Sequence, residues 1–310
     1  LEALVDKRLH WTLLTLPILG IVIFTILPLV FMICMAFTSY SKVGDHLTIF
    51  HWVGLKNFST VLGMGNSIGK TFWSVLGWTL IWAVLATFLN YILGMILAIV
   101  INRKTTRIKG FWRFCFMLSA AIPQFVSLLL MRTMLKDNGL INNLLVQAGL
   151  ISSPLPFLTN ATWARATVVI INLWVGIPFT MMQVTGILQN IPGELYEAAR
   201  VDGAGPVTIF FKITLPYMLF VTTPYLITTF TGNINNFNVN YLLTAGAPVP
   251  VGATAGKTDL LVTWLYKLTI DNKDYNLGAV IGILTFILMA TLSLITYRRT
   301  GSYKNEEGFS

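Results

Sequence analysis

Charge is scarce in this chain of 310 residues: Asp, Glu, Lys and Arg together make up 11% of it, against roughly 25% in a soluble domain. That scarcity excludes intrinsic disorder and charged nucleic-acid-binding tails, which both need dense charge. It also excludes an ordinary water-soluble enzyme, because too little polar surface remains to cover a core of this size. Cysteine is nearly missing too. Cys34 and Cys115 stand far apart in apolar runs, so neither a disulfide framework nor a CxxC metal site is expected, and both read as buried small hydrophobes. The histidines, His10, His46 and His51, fit no HExxH or Cys/His ligand spacing. No Ser/His/Asp set can be assembled with any specificity.

What is present is apolar: 55% hydrophobic residues, 13% aromatic, and a mean hydropathy of +0.73. The net charge of +9 comes from only 21 basic and 12 acidic residues. A membrane protein acquires such a bias from its cytoplasmic loops, so the charge is not a nucleic-acid signal. A helix needs about 20 apolar residues to cross the hydrocarbon layer. Stretches without Asp, Glu, Lys or Arg include 9–41, 71–102, 114–131, 166–193, 213–256 and 275–297. They predict an all-α membrane protein with six transmembrane helices, at about 12–38, 72–101, 112–133, 166–189, 214–234 and 277–297. The fifth stretch is too long for one span, and Asn235, Asn236, Asn238 and Asn240 predict an irregular second half.

Orientation follows from lysine and arginine in the loops. With both ends inside, the inner segments 1–11, 102–113, 190–212 and 298–310 hold 12 of the 21 basic residues. The densest cluster, Arg103, Lys104, Arg107 and Lys109, is then cytoplasmic, which favours N-in and C-in. Aromatics in the outer loops, Tyr40, Trp52, Trp264 and Tyr266, are expected in the interfacial belt. The spans hold no carboxylate or basic residue apart from Arg113 and Arg132, both near the ends of the third. Ion-coupled carriers usually place an ionisable group at membrane depth, so the energy source is expected on another chain.

Two tempting motifs fail. Gly63 to Thr71 imitates a phosphate-binding loop, but Met64 stands where the motif needs glycine, and Val251 does the same before Gly256-Lys257-Thr258. Asn57-Phe-Ser59 and Asn160-Ala-Thr162 are sequons of the kind that arises by chance.

The segment from Ile191 to Pro216 is different. Pro192 suits a helix start, and Glu194 in the first turn favours the dipole. Leu195, Ala198 and Ala199 make a small-residue face, Gly203 and Gly205 are placed to take left-handed angles, and Pro206 opens a second helix. A loop this apolar and small-faced suits docking into a groove on a soluble partner. Glu197-Ala198-Ala199, Gly203, Ile213 and Leu215-Pro216 resemble, in identity and spacing, the signature of ABC importer permeases. Asn172 to Pro178, Gly232 to Phe237 and Gly256 to Leu261 resemble the larger subunit of maltose-type carbohydrate importers, a likeness that covers most of residues 70–300.

The resemblance implies a type I importer permease in the bacterial cytoplasmic membrane, forming one transmembrane domain, with further N-terminal helices in such subunits. It implies that 190–216 is a coupling loop in which Glu194, Glu197, Ala198, Ala199, Asp202 and Gly203 meet the ATPase. It implies that Gln124, Asn172, Gly176, Asn233 and Asn236 line a sugar site, Gly176 leaving room for a ring. The maltose pattern is departed from at Ala120 and Gln124, so the sugar's identity and length stay open. The implied partners are a homologous permease, two cytoplasmic ATPases that use ATP and magnesium, and an outer sugar-binding protein; this chain needs no cofactor and catalyses nothing. Independently of the family, clustered asparagines beside Trp174, Phe230, Phe237 and Tyr241 offer donors, acceptors and apolar faces that suit a neutral sugar. Bonding between helices is the competing use of such asparagines. An ion-coupled sugar carrier, or an importer of another solute, is the alternative.

Overall fold

The structure, a computed structural model, describes residues 2–39, 51–103 and 105–298. Tyr40, His46, Lys104, Arg299 and Lys304 lie outside the described residues, as does much of the basic C-terminal segment. Helices dominate, and among the described residues the only extended pairing is an isolated bridge between Thr38 and Trp52.

The chain opens with a long helix, α1, made of Glu2–Ile21, a π turn Val22–Ile26 and Leu27–Ala36. Then come α2, Lys56–Leu62; α3, Ser67–Asn102; α4, Lys109–Ala121; α5, Gln124–Met134; α6, Leu140–Gln147; and α7, Ala161–Gln189. They are followed by α8, Gly193–Val201; α9, Pro206–Ile234; α10, Phe237–Thr244; α11, Leu261–Tyr266; and α12, Tyr275–Arg298. Five stretches are long and apolar enough to span a membrane, or six when α4 and α5 count as one broken span bent by 84°.

Each of the six predicted spans thus falls on a helix or, for the third, on a bent helix pair, with three changes. The second begins at Ser67, five residues early, because Asn66 accepts from the Gly69 N–H at 2.7 Å and starts the helix in the loop. The third is broken: Ile122 and Pro123 are extended (ψ 129° and 128°), since proline keeps the residue before it out of the α region. The second half of the fifth uncharged stretch is not wholly irregular. Asn236 caps α10 by accepting from the Val239 N–H at 3.2 Å, so one of the asparagines expected to break structure begins a helix instead.

Two compact units are formed, Leu1–Phe72 with Leu265–Thr285, and Trp73–Trp264 with Phe286–Ser310. In the first, Asn57 is buried and donates from Nδ2 to the Ala36 and Thr38 carbonyls at 2.9 and 2.8 Å. This sequon asparagine is thus a strut, and the other, Asn160, caps α7. Trp52 is exposed and stacks on Phe37 with centroids 5.3 Å apart. Between Leu13 and Ala36 only Met35 and Ala36 are buried, leaving apolar side chains exposed all round that part of α1. That is the surface of a helix made for lipid or a protein neighbour.

The second unit holds two apolar clusters. Trp78, Trp82, Ala86, Leu128, Val168, Val169, Val239, Leu243 and Leu260 form one. Tyr91, Met95, Ala98, Ile101, Met181, Val184 and Met218 form the other. At the second cluster α3 and α7 run close together. A Cβ on Gly94 would meet Thr180 Cβ at 2.6 Å, the small-residue contact by which helices approach in a bilayer. Trp264 is a correction: it is fully buried and donates from its indole to Thr254 Oγ1 at 3.1 Å, so it is not an interfacial anchor. Cys34 and Cys115 are likewise corrected, both being exposed on the chain's surface. A span has apolar surroundings outside as well as inside, so an apolar cysteine need not turn inward.

Candidate functional site

Along α3 the first cluster ends at Ala86 and the second begins at Tyr91; along α7 they end and begin at Val169 and Met181. The gap between them lies mid-helix and holds the polar side chains Thr87 and Asn90 on α3 and Asn172 and Thr180 on α7. A π turn at Leu85–Leu89 adds one residue per turn here, a distortion common at functional sites. Thr87 and Asn90, three apart and so on one face, project from this turn region. Asn90 Nδ2 donates to the Ala86 carbonyl at 2.8 Å. Asn233, near the end of α9, is buried and donates from Nδ2 to Thr87 Oγ1 at 2.9 Å. Asn236 Nδ2 donates in turn to Asn233 Oδ1 at 3.3 Å. On α7, Asn172 is buried and its Nδ2 has no partner. Gly176 follows one turn later, and a Cβ there would meet the Asn90 amide at 2.7 Å.

The structure thus links Asn233 with Asn236, and sets Gly176 against a residue absent from the sequence reading. The room that Gly176 leaves is taken by Asn90, so the expected open space for a ring is corrected: its bare α-carbon accommodates an amide. Asn233 and Asn236 do not share a helical turn, because α9 ends at Ile234; their hydrogen bond joins them across the break. Gln124 is exposed at the head of α5, directly after the bend, and no hydrogen bond joins it to the other four. Thr87 and Asn90 were missed. Asn90 is the only amide in 71–101 and follows Thr87 by three, a signal that means little until the facing helices are known.

The second candidate site is the loop after α7. Pro192 caps α8, Glu194 lies in its first turn and Arg200 in its last. The helix is stopped by a Schellman motif: Gly203 has φ +75°, its N–H donates to the Arg200 carbonyl at 3.0 Å, and the Ala204 N–H donates to the Ala199 carbonyl at 2.9 Å. Gly205 is a correction; it is extended (φ −74°) and caps α9, since one left-handed residue already turns the chain. Tyr196 holds the loop to α9 through a 3.2 Å hydrogen bond with Thr214. Beside it lies an apolar groove of about 580 Å³ that includes Ile96, Val100, Tyr196, Val207 and Phe210. Glu194, Glu197, Ala198, Asp202 and Gly203 are exposed, Ala199 is half-buried, and Val201 is 88% exposed. An apolar residue so bare at a helix end is what a docking helix presents.

The phosphate-loop imitations are closed. The Gly256 N–H already donates to buried Asp259 at 2.7 Å, and a Cβ on Gly69 would strike the Gly63 backbone. Among the described residues no three His, Cys, Asp or Glu side chains converge as a metal site.

The family model for binding-protein-dependent transport system inner membrane components matches residues 90–300. The galactooligosaccharides transport system permease protein GanP of Bacillus subtilis is 38% identical over 294 residues, covering 94% of this chain and 70% of that protein. The maltodextrin transport system permease protein MdxF of the same organism is 36% identical over 309 residues, covering 95% and 70%. The maltose/maltodextrin permease protein MalF of Escherichia coli is 36% identical over 253 residues, which are 80% of this chain and 49% of that protein. A solved bacterial alginate ABC transporter, in complex with an alginate pentasaccharide-bound periplasmic protein, shares the fold, with a TM-score of 0.76 over 96% of both chains at 23% identity.

Proposed function

We propose, from the premise that the chain belongs to the family of binding-protein-dependent transport system inner membrane components, that it passes neutral oligosaccharides across the cytoplasmic membrane as the permease subunit of an ATP-driven importer. The observation that carries this reading is the exposed α8 with its glycine stop, for which a self-contained carrier has no use. Hydrolysis belongs to two cytoplasmic ATPase subunits that hold ATP and magnesium, and α8 conveys their closure to the spans. A homologous permease completes the pathway, and an outer binding protein delivers the sugar. This chain supplies no catalytic group. Its own task is to present the amides of Asn172, Asn233, Asn236 and Gln124 to sugar hydroxyls at mid-membrane, where polar backbone and side chains are tolerated only around a cavity or within protein. Maltodextrins and galactooligosaccharides are the substrate classes that the relatives' names support.

In proteoliposomes containing the complete importer, uptake of maltotriose or galactotriose is expected to stop with vanadate and to survive an uncoupler. Uptake that collapses with the uncoupler and ignores vanadate would establish an ion-coupled carrier instead. The coupling role also requires residues 102–113 and 190–212 to face the cytoplasm, with N-in and C-in. In a chain whose Cys34 and Cys115 are replaced by serine, Thr106→Cys is expected to react with an impermeant thiol reagent only from the cytoplasmic side, and Gln147→Cys only from outside. The reverse labelling would invert the topology and remove α8 from reach of the ATPases. Thr48 and Ser302, other natural reporter positions, lie outside the described residues.

A further inference from the structure

Three facts converge on the Asn90 amide. Its Nδ2 donates to Ala86 at 2.8 Å, which fixes its direction. Its Oδ1 is buried and accepts nothing. The whole group lies over Gly176, whose added Cβ would meet Nδ2 and Oδ1 at 2.7 Å and Cγ at 2.8 Å. One turn before Gly176 on the same face of α7, Asn172 is 7% exposed, with an Nδ2 that donates to nothing. Buried polar atoms are nearly always paired, and an unpaired one calls for an explanation. Here one free acceptor and one free donor occur on neighbouring helices, in a belt whose side chains are uncharged. An anion would need donors only, and a cation acceptors only. A hydroxyl group supplies both halves: its hydrogen goes to Oδ1 and its oxygen lone pair receives Nδ2–H.

We propose that Asn90 is a sugar-contacting residue of the pathway, its free acceptor acting with the free donor of Asn172 on the hydroxyls of a neutral sugar. The inference rests on the reading of the amide belt as the sugar site. It assigns to α3 a direct part in sugar selection, beside α7 and α9. Gly176 then has a defined purpose: it lets the Asn90 amide lie close to the α7 backbone, one helical turn from Asn172.

The competing use of Asn90 is as a staple of the π turn through Ala86. A staple affects every sugar equally, whereas a contact to particular hydroxyls changes preference among sugars. The test compares Asn90→Ala, Asn90→Ser and Asn236→Ala in the complete importer, measuring uptake of labelled maltotriose and of labelled galactotriose, with co-purification of the ATPase subunits as the check of assembly. Asn90→Ala is expected to lower uptake several-fold and to change the ratio between the two sugars. Asn90→Ser, whose hydroxyl can still bond back to Ala86 and offer an acceptor, is expected to recover part of the uptake. If Asn236→Ala is impaired while Asn90→Ala keeps wild-type rates and ratio, the assignment of Asn90 is overturned and the belt stands. If Asn90→Ala lowers both sugars by one factor, Asn90 is only a staple. Should Asn90→Ala fail to assemble, an unaltered ratio in Asn90→Ser overturns the proposal equally. If Asn90→Ala and Asn236→Ala both transport as wild type, the belt reading falls and takes this inference with it.

Discussion

Replacing Gly203 with valine is expected to abolish ATP-driven uptake while the chain still inserts into the membrane. Gly203 has φ +75° and nothing within 4 Å of where its Cβ would stand, so the penalty is one of backbone and not of crowding. A left-handed residue costs roughly 1–2 kcal/mol for an ordinary side chain and more for a β-branched one. The Schellman stop pays back little: two hydrogen bonds, Gly203 to Arg200 and Ala204 to Ala199, worth about 1 kcal/mol each. A valine therefore tips the loop out of its turn, and α8, held to α9 through Tyr196 and Thr214, no longer presents Glu197 and Ala198 at a fixed angle. Gly203→Ala should fall between wild type and valine, and Gly205→Ala, at an extended residue, should be mild. Co-purification of the ATPase subunits, together with the ratio of ATP hydrolysed to sugar imported, reads the effect. Wild-type coupling in Gly203→Val would remove α8 from the coupling path.

The second large effect is expected at Gly176. A Cβ there meets the Asn90 amide at 2.7 Å, closer than real Cβ contacts allow, and leucine adds three more carbons inside the belt. Overpacking of this kind costs about 1–3 kcal/mol, and it falls where α3 and α7 set the width of the belt. Gly176→Leu should reduce uptake of both maltotriose and galactotriose more than tenfold, which corresponds to about 1.4 kcal/mol. The ATPase subunits should still assemble, and part of the binding-protein-stimulated hydrolysis should remain, because α8 is untouched. Gly176→Ala should be milder, and pairing it with Asn90→Ala, which removes the colliding amide, should relieve it in part, as residues in contact are not additive. Unchanged uptake in Gly176→Leu would put the pathway elsewhere.

The spans were legible because each is a long apolar run with charge absent or confined to its ends, as at Arg113 and Arg132 of the third. The α8 loop was legible because its chemistry is local: proline, acidic first turn and glycine stop lie within one stretch of chain. The belt was half legible. Asn233 and Asn236 drew notice by clustering, and the helix end at 234 was expected, yet nothing local shows that their side chains bond across it. Asn90 stayed hidden because a single amide in an apolar run gains meaning only from Gly176, 86 positions later in the chain, and from a π turn that periodicity does not reveal. Trp264 went the other way. An aromatic in a presumed loop looked interfacial, but the short α11 packs it fully inside.

The polar belt also has an electrical meaning. Thr87, Asn90, Asn172, Asn233 and Asn236 carry no net charge, and a neutral sugar brings none. The membrane potential does about 2.3 kcal/mol of work per elementary charge per 100 mV, and on such a passage that work is zero. On the proposed pathway a neutral sugar passing these amides would therefore add no electrical work of its own in a resting or an energised cell.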